Sequence, residues 1–256
     1  MSSFMSTEPA NNTSIDEAVR QARIDLAATL RWADRLGLSE GICNHFSLLV
    51  PGQTDQFLLN PQGLHWSEIR ASDLIIVDAA GNLFEGNHPA EPTAFFIHSR
   101  IHLGIPTAKC VLHVHAPYTT ALCCVDGPGL QWCSQNSLRY YGRVAYDGDY
   151  NGMALDNSEG DRICSQMGDA DILFLAAHGV VVTGPTLAWA FDDLYFLERA
   201  AMNQVLAMST GQPLKIIPDE ICQATAEQIK TERQQSDLHL DAIRRILMKE
   251  CPEFAD

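Results

Sequence analysis

The sequence predicts an α+β fold in which helices flank a mainly antiparallel sheet. Short apolar runs such as Leu74–Val77 and Ile172–Ala177 read as buried strands. Capped segments with apolar residues at helical spacing read as helices packed on them. The two kinds of segment do not alternate strictly, as a parallel βαβ fold would require, and that decides the class.

The elements follow in order. A capping box of Ser14 and Glu17 opens a helix carrying Ile15, Val19, Leu26, Leu30 and Leu36, which Gly37 closes. Phe46–Val50 and Phe57–Leu59, joined through Pro51-Gly52, form a hairpin. Leu74–Val77 is a strand ending at Ala80-Gly81-Asn82. Pro92 suits the first turn of a helix that continues through Phe95, Phe96, Ile97 and Ile101 to Gly104. A strand follows at Ala108–His115, then strand and loops from Val125 to Gly152, and a short helix from Ser158 to Met167 ending at Gly168. Strands at Asp171–Ala177 and Val180–Val182 precede a long apolar helix from Thr186 to Ser209, where Trp189, Phe191, Tyr195 and Phe196 serve packing. One amphipathic stretch from Ala224 to Met248 ends the chain.

Apolar residues make up 46% of the 256 and charged residues 19%, the composition of a soluble globular protein. No stretch reads as an interdomain linker, so a flexible segment at 1–13 and a single domain at 14–256 are expected. The 32 acidic against 17 basic side chains give a formal charge of −15, which argues against nucleic acid and anionic membranes as partners. Met1 to Thr13 has no leader pattern, and no segment approaches the about 20 apolar residues of a membrane span. The eight cysteines form no C-x-x-C pair and mostly lie in apolar segments, so the expected compartment is a reducing cytoplasm.

The chemistry is concentrated in Cys110-Val111-Leu112-His113-Val114-His115. Side chains alternate along a strand, so His113 and His115 share a face, and two imidazoles on a buried face each need a partner. His178, at the end of the run Ile172–Ala177, can complete a three-histidine face suited to a divalent ion with open positions. Zinc is the first choice, with manganese, cobalt or iron as alternatives. His98 is expected to support the site from behind, while His45, His65, His88, His102 and His239 are read as surface, pocket-wall or capping residues.

Five segments in this order resemble the class II aldolase/adducin family: Gly41–Ser47 with Asn44, Asn60–Leu64 with Gln62 and Gly63, His98, His113-Val114-His115, and Ala177-His178-Gly179. The resemblance spans about Ala18 to Gly211. It implies a three-layer α/β/α sandwich, a homotetramer with its site at a subunit interface, the three histidines as metal ligands, and Asn44, Gln62 and Gly63 at the substrate. The chain also departs from the family's fuculose-phosphate aldolases. Their acid/base glutamate, four residues before the histidine matching His98, is Ala94 here; their two phosphate-holding serines are Pro92 and Thr93; and Cys43 replaces a glycine. A weakened phosphate cradle points to a small unphosphorylated hydroxy- or oxo-acid.

The expected activity is therefore metal-dependent carbon–carbon cleavage, by aldol chemistry or decarboxylation. Glu91 is the expected acid/base, with capping of a helix start as its alternative role. Arg139 and Tyr140 lie where the resemblance puts pocket residues, the first to pair a substrate carboxylate and the second to donate a proton, against a plain surface role. The competing functions are a non-catalytic adducin-like binding module and an iron-dependent oxygenase.

Overall fold

The backbone of residues 10–256 and the side chains from Ser14 onward are described in a computed structural model. In chain order its elements are α1 (Ala10–Arg35), β1 (His45–Leu49), β2 (Gln56–Leu59), β3 (Ile75–Asp78), β4 (Leu83–Glu85), α2 (Pro92–Gly104), β5 (Cys110–Val114), α3 (Pro117–Cys123), α4 (Gln135–Leu138), β6 (Val144–Asp147), α5 (Asn157–Met167), β7 (Ile172–Leu175), β8 (Gly179–Gly184), α6 (Leu187–Met208), α7 (Asp219–Thr231) and α8 (Gln234–Glu250). The strands make one sheet in the order β4-β3-β2-β1-β5-β8-β7-β6. Every pairing is antiparallel except β6 with β7.

Alternation along β5 separates the layers. Cys110, Leu112 and Val114 face a core shared with Leu26 and Leu30 of α1, Leu194 and Leu197 of α6, and Ile243 and Leu247 of α8. Val111 faces the other way, into a core with Ile97 and Ile101 of α2 and Ile163 and Met167 of α5. Each fully buried leucine contributes about 2 kcal/mol of transfer free energy, so both faces are strongly specified. Farther along, Phe57, Leu59, Ile75 and Val77 meet Ala94 of α2.

Helix ends follow their caps. Glu91 caps α2 with Pro92 in its first turn, Asp156 caps α5 by accepting from Ser158 and Glu159, and Thr186 caps α6 by accepting from Trp189. Three sequence expectations are corrected. α1 begins by Ala10, so Ser14 lies inside the helix rather than at its cap, and only residues 1–9 of the expected flexible segment lie outside the described residues. The final amphipathic stretch is two helices, α7 and α8, parted at Glu232 (φ −98°, ψ 17°). β4, α3 and α4 are additional short elements, the last within the stretch expected to hold only a strand and loops. Among the described residues no helix is long and apolar enough to cross a membrane.

Candidate metal centre

His113 lies near the end of β5, opposite His45 on β1 and Val181 on β8. His115 follows just beyond the strand, and His178 occupies the turn between β7 and β8. That turn is tight: the His178 amide donates to the Leu175 carbonyl at 3.1 Å, and the Ala177 amide donates to the Cys123 carbonyl at 2.8 Å. Ala177 takes φ +53°, a conformation L-residues seldom adopt, and this swings His178 toward β5. The three rings form a near-equilateral triangle, with centroids 5.0, 4.8 and 4.7 Å apart. One nitrogen from each lies within 4.8 Å of the others.

The hydrogen bonds behind two of the rings settle which nitrogen is free. The Val180 carbonyl accepts from His113 Nδ1 at 3.0 Å, and the Glu40 carboxylate accepts from His115 Nδ1 at 2.5 Å. Neither acceptor carries a proton to give, so both rings hold theirs on Nδ1. Their Nε2 atoms then face each other at 3.2 Å across the centre of the triad. Burial, with the neighbouring His178 and His115 rings adding to it, pushes the His113 pKa well below the ordinary histidine value; burial and then His115 bring His178 down to about 4. Three imidazoles converging this closely, two of them kept neutral by burial, form a ready set of nitrogen donors for a cation. The set fits a borderline-soft divalent ion held by three ligands, with positions left for a guest.

The surroundings are polar and tightly built. Asn44 sits at φ +73°, its Oδ1 3.5 Å from the His115 amide, and its buried Nδ2 has no hydrogen-bond partner. Asn60 holds it there, accepting from the Phe46 amide at 2.9 Å and donating to the Asn44 carbonyl at 3.3 Å. Gln62 and Gly63 are exposed in the following turn, where the Gln62 amide donates to the Pro89 carbonyl at 3.0 Å and Gly63 takes φ +91°. Ala94 is buried in the core under β2 and β3, so no carboxylate occupies that position. Glu91 caps α2, accepting from the Ala94 amide at 2.7 Å and the Thr93 hydroxyl at 2.5 Å, and its Oε2 also lies 3.6 Å from His45 Nε2. Neither nitrogen of His45 is hydrogen bonded, and burial, against the pull of Glu91, holds its pKa down to about 4.

His98 does not bond a ring of the triad. Instead a buried chain runs from the Ala108 carbonyl to His102 Nδ1 (2.7 Å), from His102 Nε2 to Ser47 Oγ (2.7 Å) and on to His98 Nδ1 (2.6 Å). The carbonyl obliges His102 to donate from Nδ1, so its Nε2 accepts the Ser47 proton and the Ser47 oxygen accepts from His98. His98 Nε2 is left as a bare, buried lone pair. His45 and His102 are thus interior residues rather than surface or capping ones. The i, i+4 spacing of His98 and His102 opposite Ser47 is the signal that could have located them.

Arg139 and Tyr140 are corrected by the structure. Tyr140 is wholly buried and donates its hydroxyl to the Asp193 carbonyl at 2.6 Å. Arg139 pairs with Asp192 at 3.2 Å and lies over the Phe196 ring at 4.1 Å. Both are committed to α6, where the adjacent buried carboxylates of Asp192 and Asp193 also bind Arg143, Arg233 and His239. Glu40 was not anticipated: it stands in a loop without periodicity, and no motif marks it.

Fold and triad together define a helix-covered, mostly antiparallel sheet protein with a candidate three-histidine centre. The chain belongs to the class II aldolase/adducin family: the pattern of the Class II Aldolase and Adducin N-terminal domain matches residues 24–205. It is 36% identical over 210 residues to the "Putative aldolase class 2 protein" of Caulobacter vibrioides, covering 82% of this chain and 81% of that one. It is 32% identical over 213 residues to alpha-adducin of Rattus norvegicus, covering 81% of this chain but 29% of that longer protein. Among solved structures, an aldolase II superfamily protein from Pseudomonas syringae superimposes with a TM-score of 0.88 at 32% identity, over 97% of this chain and 100% of that one. L-fuculose 1-phosphate aldolase from Glaciozyma antarctica, at 23% identity and a TM-score of 0.83 over 98% and 96% of the two chains, shares the fold.

Proposed function

We propose that this protein is a divalent-metal-dependent carbon–carbon lyase acting on a small, unphosphorylated hydroxy- or oxo-acid by aldol cleavage or decarboxylation. The observation that carries this reading is the approach of the Nε2 atoms of His113 and His115 to 3.2 Å, with His178 closing the triangle. His113, His115 and His178 would hold the ion, zinc by first choice. Bound there, the ion would stabilise negative charge developing on substrate oxygens.

The remaining roles belong to the chain's own groups. Asn44 offers its unpartnered amide to a substrate oxygen beside His115. Gln62 and Gly63 supply the exposed turn next to the start of α2, as substrate contacts. Glu91, 3.6 Å from the unpartnered His45 ring, is the carboxylate placed to take or return a proton in the absence of one at Ala94. Its capping bonds also support the choice of substrate: the Ala94 amide and Thr93 hydroxyl that a phosphate would use already serve a carboxylate, whose charge repels a dianion. A homotetramer in a reducing cytoplasm completes the proposal.

Metal analysis of protein purified without added ions, followed by a screen of 2-oxo and hydroxy acids for release of pyruvate, aldehyde or carbon dioxide, tests it. Zinc, manganese or cobalt with turnover, both lost in His113→Ala, His115→Ala and His178→Ala, is the expected result. The adducin relatives favour a second reading, a partner-binding module without catalysis. Absence of any bound transition metal would select it, and iron with oxygen consumption would point to an oxygenase instead.

A further inference from the structure

We infer that Glu40 is a positioning residue for the metal centre: its carboxylate fixes the proton of His115 on Nδ1 and so turns the Nε2 lone pair toward His113 and His178. This rests on the proposed metal-binding role of the triad. The contact itself is direct, with Glu40 Oε2 2.5 Å from His115 Nδ1. His115 needs such a partner more than His113 does. His113 is buried within β5 and paired on both sides, with its Nδ1 held by a backbone carbonyl. His115 lies past the end of the strand, with a side chain 25% exposed, and the Glu40 carboxylate is the acceptor behind its ring.

The loop from α1 to β1 is shaped to deliver that carboxylate. Past Arg35, the Gly37 amide donates to the Asp34 carbonyl at 2.8 Å and the Leu38 amide to the Ala33 carbonyl at 2.9 Å, closing the helix with Gly37 at φ +71°. Leu38 is buried, and the Ser39 hydroxyl donates to Asp34 Oδ1 at 2.6 Å, which pins the chain just before Glu40. Just after it, Gly41 turns at φ +61°, and the Cys43 amide donates to the Glu40 carbonyl at 3.0 Å. Asn44, next in the chain, accepts from the His115 amide. One loop therefore grips His115 twice, at its backbone through Asn44 and at its ring through Glu40. A carboxylate behind a ligating imidazole orients the ring and raises its basicity, and loss of such a partner commonly weakens ion binding 10- to 100-fold.

The test compares zinc affinity, by competition with a chromogenic chelator, for the full-length wild type, Glu40→Ala and Glu40→Gln, with the His115 tautomer read by nitrogen NMR in ion-free protein. Glu40 is 62% exposed, so both variants are expected to fold. Glu40→Ala should bind zinc about 10- to 100-fold more weakly and lose the pure Nδ1–H form. Glu40→Gln, which keeps a neutral acceptor, should fall between. If Glu40→Ala stays within about twofold of wild type, or if Glu40→Gln is as weak as Glu40→Ala, the positioning role is overturned, the latter because charge alone would then account for the effect. A wild type that binds no zinc at all would instead defeat the metal reading on which the inference stands.

Discussion

A methyl group placed on Gly179 would stand 2.8 Å from Cδ2 of His115 and 2.5 Å from the Val114 carbonyl oxygen. The residue after one candidate ligand is thus bare because the β5 backbone and the ring of another candidate ligand occupy the space. The carbonyl cannot yield, since Val114 is paired with Val180 across β5 and β8, so the backbone at position 179 has to shift and carry the adjoining His178 with it, while the His115 ring is crowded as well. Gly179→Ala should destabilise the fold by about 1–3 kcal/mol, the usual cost of overpacking, and lower the bound ion per chain. Denaturation and metal content measure the two effects, and unchanged metal content would show that the close approach has no bearing on the site.

Period-two alternation made the centre legible, because it put His113 and His115 on one side of a strand whose other side is apolar, and a second strand ended at His178. Helix starts were legible at Pro92 and Thr186, where the ring or side chain acts within its own turn. Less was visible wherever the partner is remote. Arg139 and Tyr140 are explained by Asp192 and Asp193, which lie in a helix that reads as plain packing. Glu40 gains its meaning only from His115, 75 positions away. The break between α7 and α8 falls at Glu232 and Arg233, where neither glycine nor proline interrupts the amphipathic pattern.

Tyr140→Phe separates a structural hydroxyl from a chemical one. Burial, then the nearby Asp193 charge, raises the Tyr140 pKa well above the ordinary tyrosine value, so the group holds its proton and spends it on the Asp193 carbonyl. Removing the hydroxyl should cost about 1 kcal/mol, the net worth of one buried hydrogen bond. Ion content and any lyase turnover should stay as in the wild type. A fall in turnover of tenfold or more at unchanged stability would return Tyr140 to the reaction.

The buried His102 makes stability depend on pH in a defined direction. Burial lowers its pKa to about 4 in the folded protein, against 6.5 for an ordinary histidine, with the Ala108 hydrogen bond acting the other way. Between these values the unfolded chain takes up a proton that the folded chain refuses, so stability falls as the pH drops from 6.5 toward 4. Above 6.5 both states are neutral and the effect vanishes. At pH 5 the expected loss from this one residue is about 2 kcal/mol. His102→Gln keeps an amide donor for Ala108 and an acceptor for Ser47 but cannot titrate, and it gives up the stacking of the ring on Phe57. It should be less stable than wild type at pH 7.5, and the gap should narrow by about 2 kcal/mol at pH 5, the change at His98 on losing the His102 charge being the smaller effect beside burial. Urea denaturation of ion-free protein at the two pH values measures the gap. A gap independent of pH would mean that His102 enters the folded state with its proton-binding unchanged.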